Sequence, residues 1–154
     1  MAVINTSIVI NKPAKTVSEY FYNFENHKNW DPFVVKIKND TAQKASRSEN
    51  KVGDTLTVGL ILPGSTSKNV FNPLVTQVSE YIFEWKGALL FDFLFVGYHK
   101  FEFKPIDENK TELIQSEQFS GILVPILLYF LGEKTEAGFK SSNEALKEQV
   151  EALE

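Results

Sequence analysis

Phe101-Glu102-Phe103-Lys104 alternates apolar and charged residues, and so does the stretch Thr111-Glu112-Leu113-Ile114-Gln115-Ser116-Glu117-Gln118-Phe119. Asp107-Glu108-Asn109 lies between them and reads as a turn. Strict alternation is the mark of strands with one wet face and one buried face. A hairpin centred on Glu108 pairs Phe103 with Leu113, Phe101 with Gln115, and His99 with Glu117. Lys100, Glu102 and Lys104 then share the opposite face with Glu112, Ser116 and Gln118. A slip of one residue would turn the phenylalanines into water, so the register is well specified. It leaves His99 and Glu117 as cross-strand partners on the inward face. Burying such groups without partners costs on the order of 2–7 kcal/mol, so the pair needs a reason.

The rest of the chain extends this sheet. Val3–Ile10 reads as a strand, and Val17, Tyr20, Phe21 and Phe24 recur at helical spacing over residues 14–24 after Pro13. Residues 25–30 form a second short helix or a tight turn, which Asp31-Pro32 ends. Strands follow at residues 33–38, 54–60, 68–79 and 80–86, with a polar loop over 39–50 and a bend at Asn72-Pro73. Tyr81, Phe83 and Trp85 share one face. A further strand runs over residues 93–104, and a helical pattern over 124–153. Leu127, Leu131, Thr135, Gly138, Phe139, Ser142, Leu146 and Leu153 form its inner stripe, opposite a charged outer face. A strand, a helical hairpin, six strands and a long helix make one α+β domain, residues 1–154, with the helices on one face of an antiparallel sheet. Small inward residues, Gly138 and Ser142, would let a cavity persist under the long helix.

Composition narrows the function. The chain has 154 residues, a formal net charge of −4, no cysteine and a single arginine, Arg47. Thiol catalysis, disulfides and thiolate metal sites are excluded. Nucleic-acid recognition is disfavoured by the lack of arginine and of a basic block. Residues 1–10 lack the pattern of a signal peptide, and Ile122–Leu131 is too short to span a bilayer, so a cytoplasmic location without membrane insertion is expected. No phosphate loop, dinucleotide fingerprint or nucleophile elbow is present. One inward histidine and one inward glutamate are short of a metal site, and no cofactor is expected. His27 falls on the helical hairpin and is expected to be exposed.

Several short segments carry a resemblance. They are Asn29-Trp30-Asp31-Pro32-Phe33, Phe83-Glu84-Trp85-Lys86-Gly87, Gly97-Tyr98-His99-Lys100-Phe101, Glu117-Gln118-Phe119-Ser120-Gly121, and Gly138-Phe139 with Asn143-Glu144-Ala145-Leu146-Lys147. In this order the chain resembles the START-like (SRPBCC) superfamily, in its polyketide cyclase/dehydrase-like branch. The resemblance implies a helix-grip fold, a curved antiparallel sheet wrapped around the C-terminal helix with an apolar cavity between them. It implies that Tyr129 and Phe130 border the cavity mouth. Trp30 would seat the helical hairpin or close that mouth.

Candidate ligand-binding residues on the inward face are Phe83, Trp85, Phe95, His99 and Phe101. Gln115 and Glu117 join them from the next strand, and Leu131 and Thr135 from the helix. Three functions remain open. The first is binding of an apolar or aromatic small molecule or lipid, anchored by His99 and Glu117. The second is a polyketide cyclase or dehydratase using the same two residues for proton transfer. The third is a protein-binding or chaperone-activating module, which requires a filled interior and a large apolar surface patch. A structural role for the pair, fixing two strands, competes with all three.

Overall fold

The computed structural model describes residues 2–154. Strand β1 (Ala2–Ile10) leads into α1 (Ala14–Tyr22), a 3-10 turn at Phe24–Asn26 and α2 (His27–Trp30). Then come β2 (Val34–Asn39), α3 (Asp40–Lys44), β3 (Leu56–Leu60), β4 (Asn69–Phe71), β5 (Leu74–Val78) and β6 (Ile82–Ala88). The chain closes with β7 (Val96–Asp107), β8 (Lys110–Ser120) and the long α4 (Val124–Glu151).

The β7–β8 hairpin pairs Phe103 with Leu113, Phe101 with Gln115 and His99 with Glu117, as counted from the alternation. A bulge between Pro105 and Asp107 absorbs the mismatch at the turn. The order β1-β8-β7-β6-β5 makes one antiparallel sheet, and β2-β3-β4 a second. A single sheet was the expectation. Asn72-Pro73 does more than bend one strand: β4 pairs with β3, whereas β5 pairs with β6 in the other sheet. Pro73 has no amide hydrogen to extend a ladder. Its carbonyl instead accepts from Leu56 N at 2.9 Å, and Val75 N donates to Asp54 O at 2.8 Å, so the two sheets are stitched together at the switch.

Residues 39–50, expected as a loop, contain α3. Asn39 caps it, its side-chain oxygen accepting from Ala42 N at 2.9 Å. Asp54 then holds the rest of the segment. It receives a two-point contact from Arg47 at 2.8 and 3.2 Å, Asn39 Nδ2 at 2.8 Å and Lys51 N at 2.9 Å. The Arg47 guanidinium holds the Asp54 carboxyl down at about 2. The only arginine is thus used to fold a loop.

Helix α4 starts after Gly121, whose φ of +119° and contact with Leu94 O leave no room for a Cβ. Pro125 sits in the first turn, where a missing amide hydrogen costs nothing. The helix lies mainly against β1 and β8. Its buried residues are concentrated at Gly138, Phe139, Ser142, Asn143, Leu146 and Val150. The expected inner stripe is therefore broken: Leu127 and Thr135 are half-buried and Leu131 and Leu153 exposed. Gly138 and Ser142 preserve no void. A Cβ at 138 would overlap the ring of Phe33, and Ser142 Oγ donates to Asp31 Oδ2 at 3.1 Å.

His27, expected on the surface, is fully buried. Its Nε2 donates to Phe21 O at 2.7 Å, and its Nδ1 lies 3.2 Å from Asp31 Oδ2. Asp31 Oδ1 accepts from Phe33 N and Val34 N, both at 3.0 Å. Trp30 packs against His27 with the rings tilted at 45° and their centroids 4.7 Å apart, and it seats the helical hairpin. No described helix is long and apolar enough to cross a membrane.

Candidate functional site

The alternation of β7 and β8 aims Gly97, His99, Phe101, Gln115, Glu117 and Phe119 at α4. These residues do not share one environment. His99 is sealed. Its ring lies 4.8 Å from Trp85, 4.6 Å from Phe101 and 4.6 Å from Phe139, centroid to centroid. Its Nε2 is 2.9 Å from Gln115 Oε1. Gln115 Nε2 in turn donates to Asn143 Oδ1 at 2.7 Å and to Phe139 O at 3.3 Å. Asn143 Nδ2 donates to Thr6 Oγ1 at 2.9 Å, and Thr6 Oγ1 donates back to Gln115 O at 2.8 Å. Because Gln115 Nε2 spends its hydrogens on carbonyl oxygens, Oε1 must face His99. That places the histidine proton on Nε2 and a bare lone pair on Nδ1. Burial drives the ring's pKa down to about 4, so the imidazole is neutral.

Glu117 occupies the next inward position and differs. Its Oε1 lies 3.7 Å from His99 Nδ1, too far for a hydrogen bond. The side chain keeps 18% exposure, against 2% for His99. Gly97, diagonally opposite, leaves room for the carboxyl: a Cβ there would overlap Glu117 Oε2. Burial pushes the Glu117 carboxyl up to about 8. At neutral pH it therefore carries a proton and can donate a hydrogen bond, an unusual capacity for a carboxyl.

Beyond Glu117 the surface turns apolar. The β6–β7 connection exposes Leu89, Leu90, Phe91 and Phe93, and Phe91 stacks on Phe93 at 5.7 Å. The start of α4 exposes Ile122, Ile126, Tyr129 and Phe130. Ile122 N donates to Phe93 O and Leu123 N to Leu94 O, so the two segments form one rim. Leu90 is 82% exposed and has a φ of +62°, a conformation that disfavours a branched side chain.

Residues 1–151 match the sequence family described as polyketide cyclase / dehydrase and lipid transport. The chain belongs to that family. Among solved structures this family member is similar to the Zhui aromatase/cyclase from Streptomyces sp. R1128, with a TM-score of 0.73 and 11% identity over 97% of this chain and 93% of that one. A START superfamily protein from Mycobacterium smegmatis gives 0.66 and 16% over 96% and 98%. Norcoclaurine synthase from Thalictrum flavum gives 0.64 and 11% over 97% and 93%. At such identities the likeness extends to the helix-grip fold alone. No curated protein sequence matches.

The candidate ligand-binding residues divide in two. Phe83, Trp85, His99, Phe101 and Gln115 are buried in the closed half of the polyketide cyclase/dehydrase fold. Phe95, Glu117, Leu131 and Thr135 lie in its open half, half-buried or exposed. His99 and Glu117 are cross-strand partners as expected, but His99 makes its hydrogen bond to Gln115 rather than to Glu117. Thr6 was not singled out from the sequence, and Asn143 appeared only within a segment that carries the resemblance, not as a site residue. Thr6 pairs with Gln115 in register, so the β1–β8 alignment was the missing signal. Gly97 could have been found by counting two residues back from His99. Among the described residues, no three His, Asp or Glu side chains gather as a metal-ligand set.

Proposed function

We propose that this protein binds an apolar or aromatic small molecule, or a lipid, carrying one polar acceptor group. The ligand lies between the sheet at Glu117 and the first half of α4, and it enters across the rim formed by residues 89–93 and 122–130. One combination carries the reading: a buried carboxyl on the inward face that favours its proton, near the end of the β7–β8 pair from which the exposed apolar segments 89–93 and 122–130 extend. A protonated Glu117 donates to a carbonyl or hydroxyl oxygen of the ligand, while the rim supplies apolar contact. His99 acts behind it, as a fixed, neutral wall.

A second reading draws on the same carboxyl. A group that titrates near 8 can give and take a proton at neutral pH, as a cyclase or dehydratase acting on a poly-carbonyl chain requires. Glu117 would be the catalytic residue, and His99 a positioning residue.

The test uses Nile red, a neutral apolar dye, and native mass spectrometry of the protein with a set of lipids and aromatic ketones. Phe130→Ser and Glu117→Lys are each expected to weaken binding at least tenfold, whereas Glu117→Gln, which keeps a donor, retains it. Binding untouched by Glu117→Lys but lost in Phe130→Ser would overturn the reading and favour a surface patch for a protein partner. Turnover of a poly-carbonyl substrate that Glu117→Gln abolishes without loss of binding would establish the second reading.

A further inference from the structure

One concave surface is lined by none of the candidate ligand-binding residues. A cleft of about 1000 Å³ opens between the end of α1, β2 and α3. Its charged lining is five cations, Lys28, Lys36, Lys38, Arg47 and Lys68, against the single carboxylate of Glu25. The chain as a whole carries −4, so this cleft opposes the sign of the molecule. Two of the cations are neutralised locally: Lys38 by Asp40 at 3.6 Å and Arg47 by Asp54 at 2.8 Å. Lys28, Lys36 and Lys68 have no carboxylate within ion-pair distance among the described residues.

Local structure holds two of these lysines together. The β2–β3 ladder bulges between Val34 and Lys36, and Lys36 then pairs with Gly59. A bulge re-aims the side chain that follows it. Gly59 lacks the side chain that would keep a neighbour away. A Cβ built there would come within 3.0 Å of Lys68 Cδ and 3.3 Å of Lys36 Cβ. The stem of Lys68 thus crosses over Gly59 beside that of Lys36. The two lysines enter the cleft from neighbouring positions, and neither has a carboxylate partner among the described residues to offset its charge. Concave walls concentrate the resulting field. Asn23 and Gln43 line the same cleft and add side-chain amide donors.

We propose that this cleft is a binding site for a phosphate-bearing ligand, held by Lys28, Lys36 and Lys68. Lysine binds phosphate as a point charge, and three of them around one concavity suit a multiply charged anion. The site is separate from the apolar ligand at Glu117 and does not depend on it. The phosphate could belong to a soluble molecule or to a lipid headgroup, and the experiment separates these sources.

Isothermal titration calorimetry with inorganic tripolyphosphate at near-physiological salt tests the soluble source. Flotation with phosphatidylcholine vesicles containing phosphatidylglycerol tests the headgroup. The double variant Lys36→Gln/Lys68→Gln removes two exposed charges and keeps the stems that cover the sheet. It is expected to weaken binding at least tenfold while Nile red binding stays unchanged. Lys104→Gln/Lys110→Gln, on the β7–β8 hairpin, makes the same change in net charge and is expected to leave binding within twofold. Tripolyphosphate binding without vesicle binding assigns a soluble ligand; vesicle binding that the cleft variant abolishes assigns a headgroup. No saturable binding to either probe, or an equal loss in the two double variants, overturns the proposal.

Discussion

Glu117→Gln should change how stability depends on pH, and the structure fixes both the sign and the window. In the native protein Glu117 keeps its proton until about pH 8, whereas in the unfolded chain it ionises near 4.5. Between these limits the unfolded state binds fewer protons, so stability falls as pH rises. His99 works the other way. It is neutral in the native protein down to about pH 4 and becomes charged below 6.5 when unfolded. Across that range stability rises with pH. The two slopes oppose each other between 4.5 and 6.5 and give a plateau. Above 6.5 the Glu117 slope stands alone. Over the roughly 1.5 units up to pH 8, at about 1.4 kcal/mol per unit, it removes about 2 kcal/mol. The 18% exposure of the side chain makes this an upper bound. Urea unfolding of both proteins from pH 5.5 to 8.5 measures it. The stability of Glu117→Gln relative to the wild type should grow by about 2 kcal/mol between pH 6.5 and 8, with other groups cancelling in the difference. That is about 4–8 °C in melting temperature for a chain of this size. A pH-independent difference would refute the reasoning, because it would mean that Glu117 ionises like a surface carboxylate. The proposed hydrogen bond to the ligand would fall with it.

Two glycines of α4 should respond oppositely to one substitution. In Gly132→Ala the new methyl meets only the Leu128 side chain at 3.7 Å, and helix propensity should stabilise the protein by about 0.5–1 kcal/mol. In Gly138→Ala the methyl overlaps Phe33, whose ring is held edge-on to Phe139 at 5.7 Å. Overpacking of about 1–3 kcal/mol should outweigh the same propensity gain, and a stabilised Gly138→Ala in urea would show instead that the closed half has free space. Leu90→Asn should raise stability by about 0.5–1 kcal/mol, because asparagine tolerates the left-handed backbone that leucine resists. It should also weaken Nile red binding; a variant that binds the dye as well as the wild type would remove Leu90 from the mouth.

The register of β7 and β8 was legible because period-two alternation and a polar turn constrain each other. Glu117 was legible for the same reason. The division of the inward face was not. Nothing in the alternation says that the rings of Trp85, Phe101 and Phe139 close over His99 while the next position stays open. That difference depends on where α4 leaves the sheet, which is a long-range property. His27 was misplaced because its partners, Phe21 O and Asp31, come together only when the hairpin docks. Gly138 and Ser142 were read as space, yet each answers a particular neighbour, Phe33 and Asp31. Asn72-Pro73 was legible as an interruption, but the exchange of sheets depends on pairing with β3 and β6. The five-residue α3 has no apolar period to announce it. Its stability comes from Asn39, Arg47 and Asp54.

Helix α4 does two jobs, and the boundary falls between Thr135 and Gly138. C-terminal to it, the inward positions Gly138, Phe139, Ser142, Asn143, Leu146 and Val150 are all buried, and the side chains of Thr6, Gln115 and Asn143 are paired with one another and with His99 Nε2. Such a network is costly when half satisfied and rigid when complete. It fixes the sheet-facing angle of the helix. N-terminal to the boundary the helix contributes little to the core, yet it exposes Ile126, Tyr129 and Phe130. Leu90 across the rim is both exposed and held in a strained backbone. Neither feature stabilises the fold, so both point to a role outside folding. The rigid half then has a functional consequence. It buries His99 in its neutral form 3.7 Å from Glu117, where a charged ring would favour the ionised carboxylate. With the histidine neutral, burial alone acts on the Glu117 carboxyl and favours its protonated form, the state that the proposed hydrogen bond to a ligand requires.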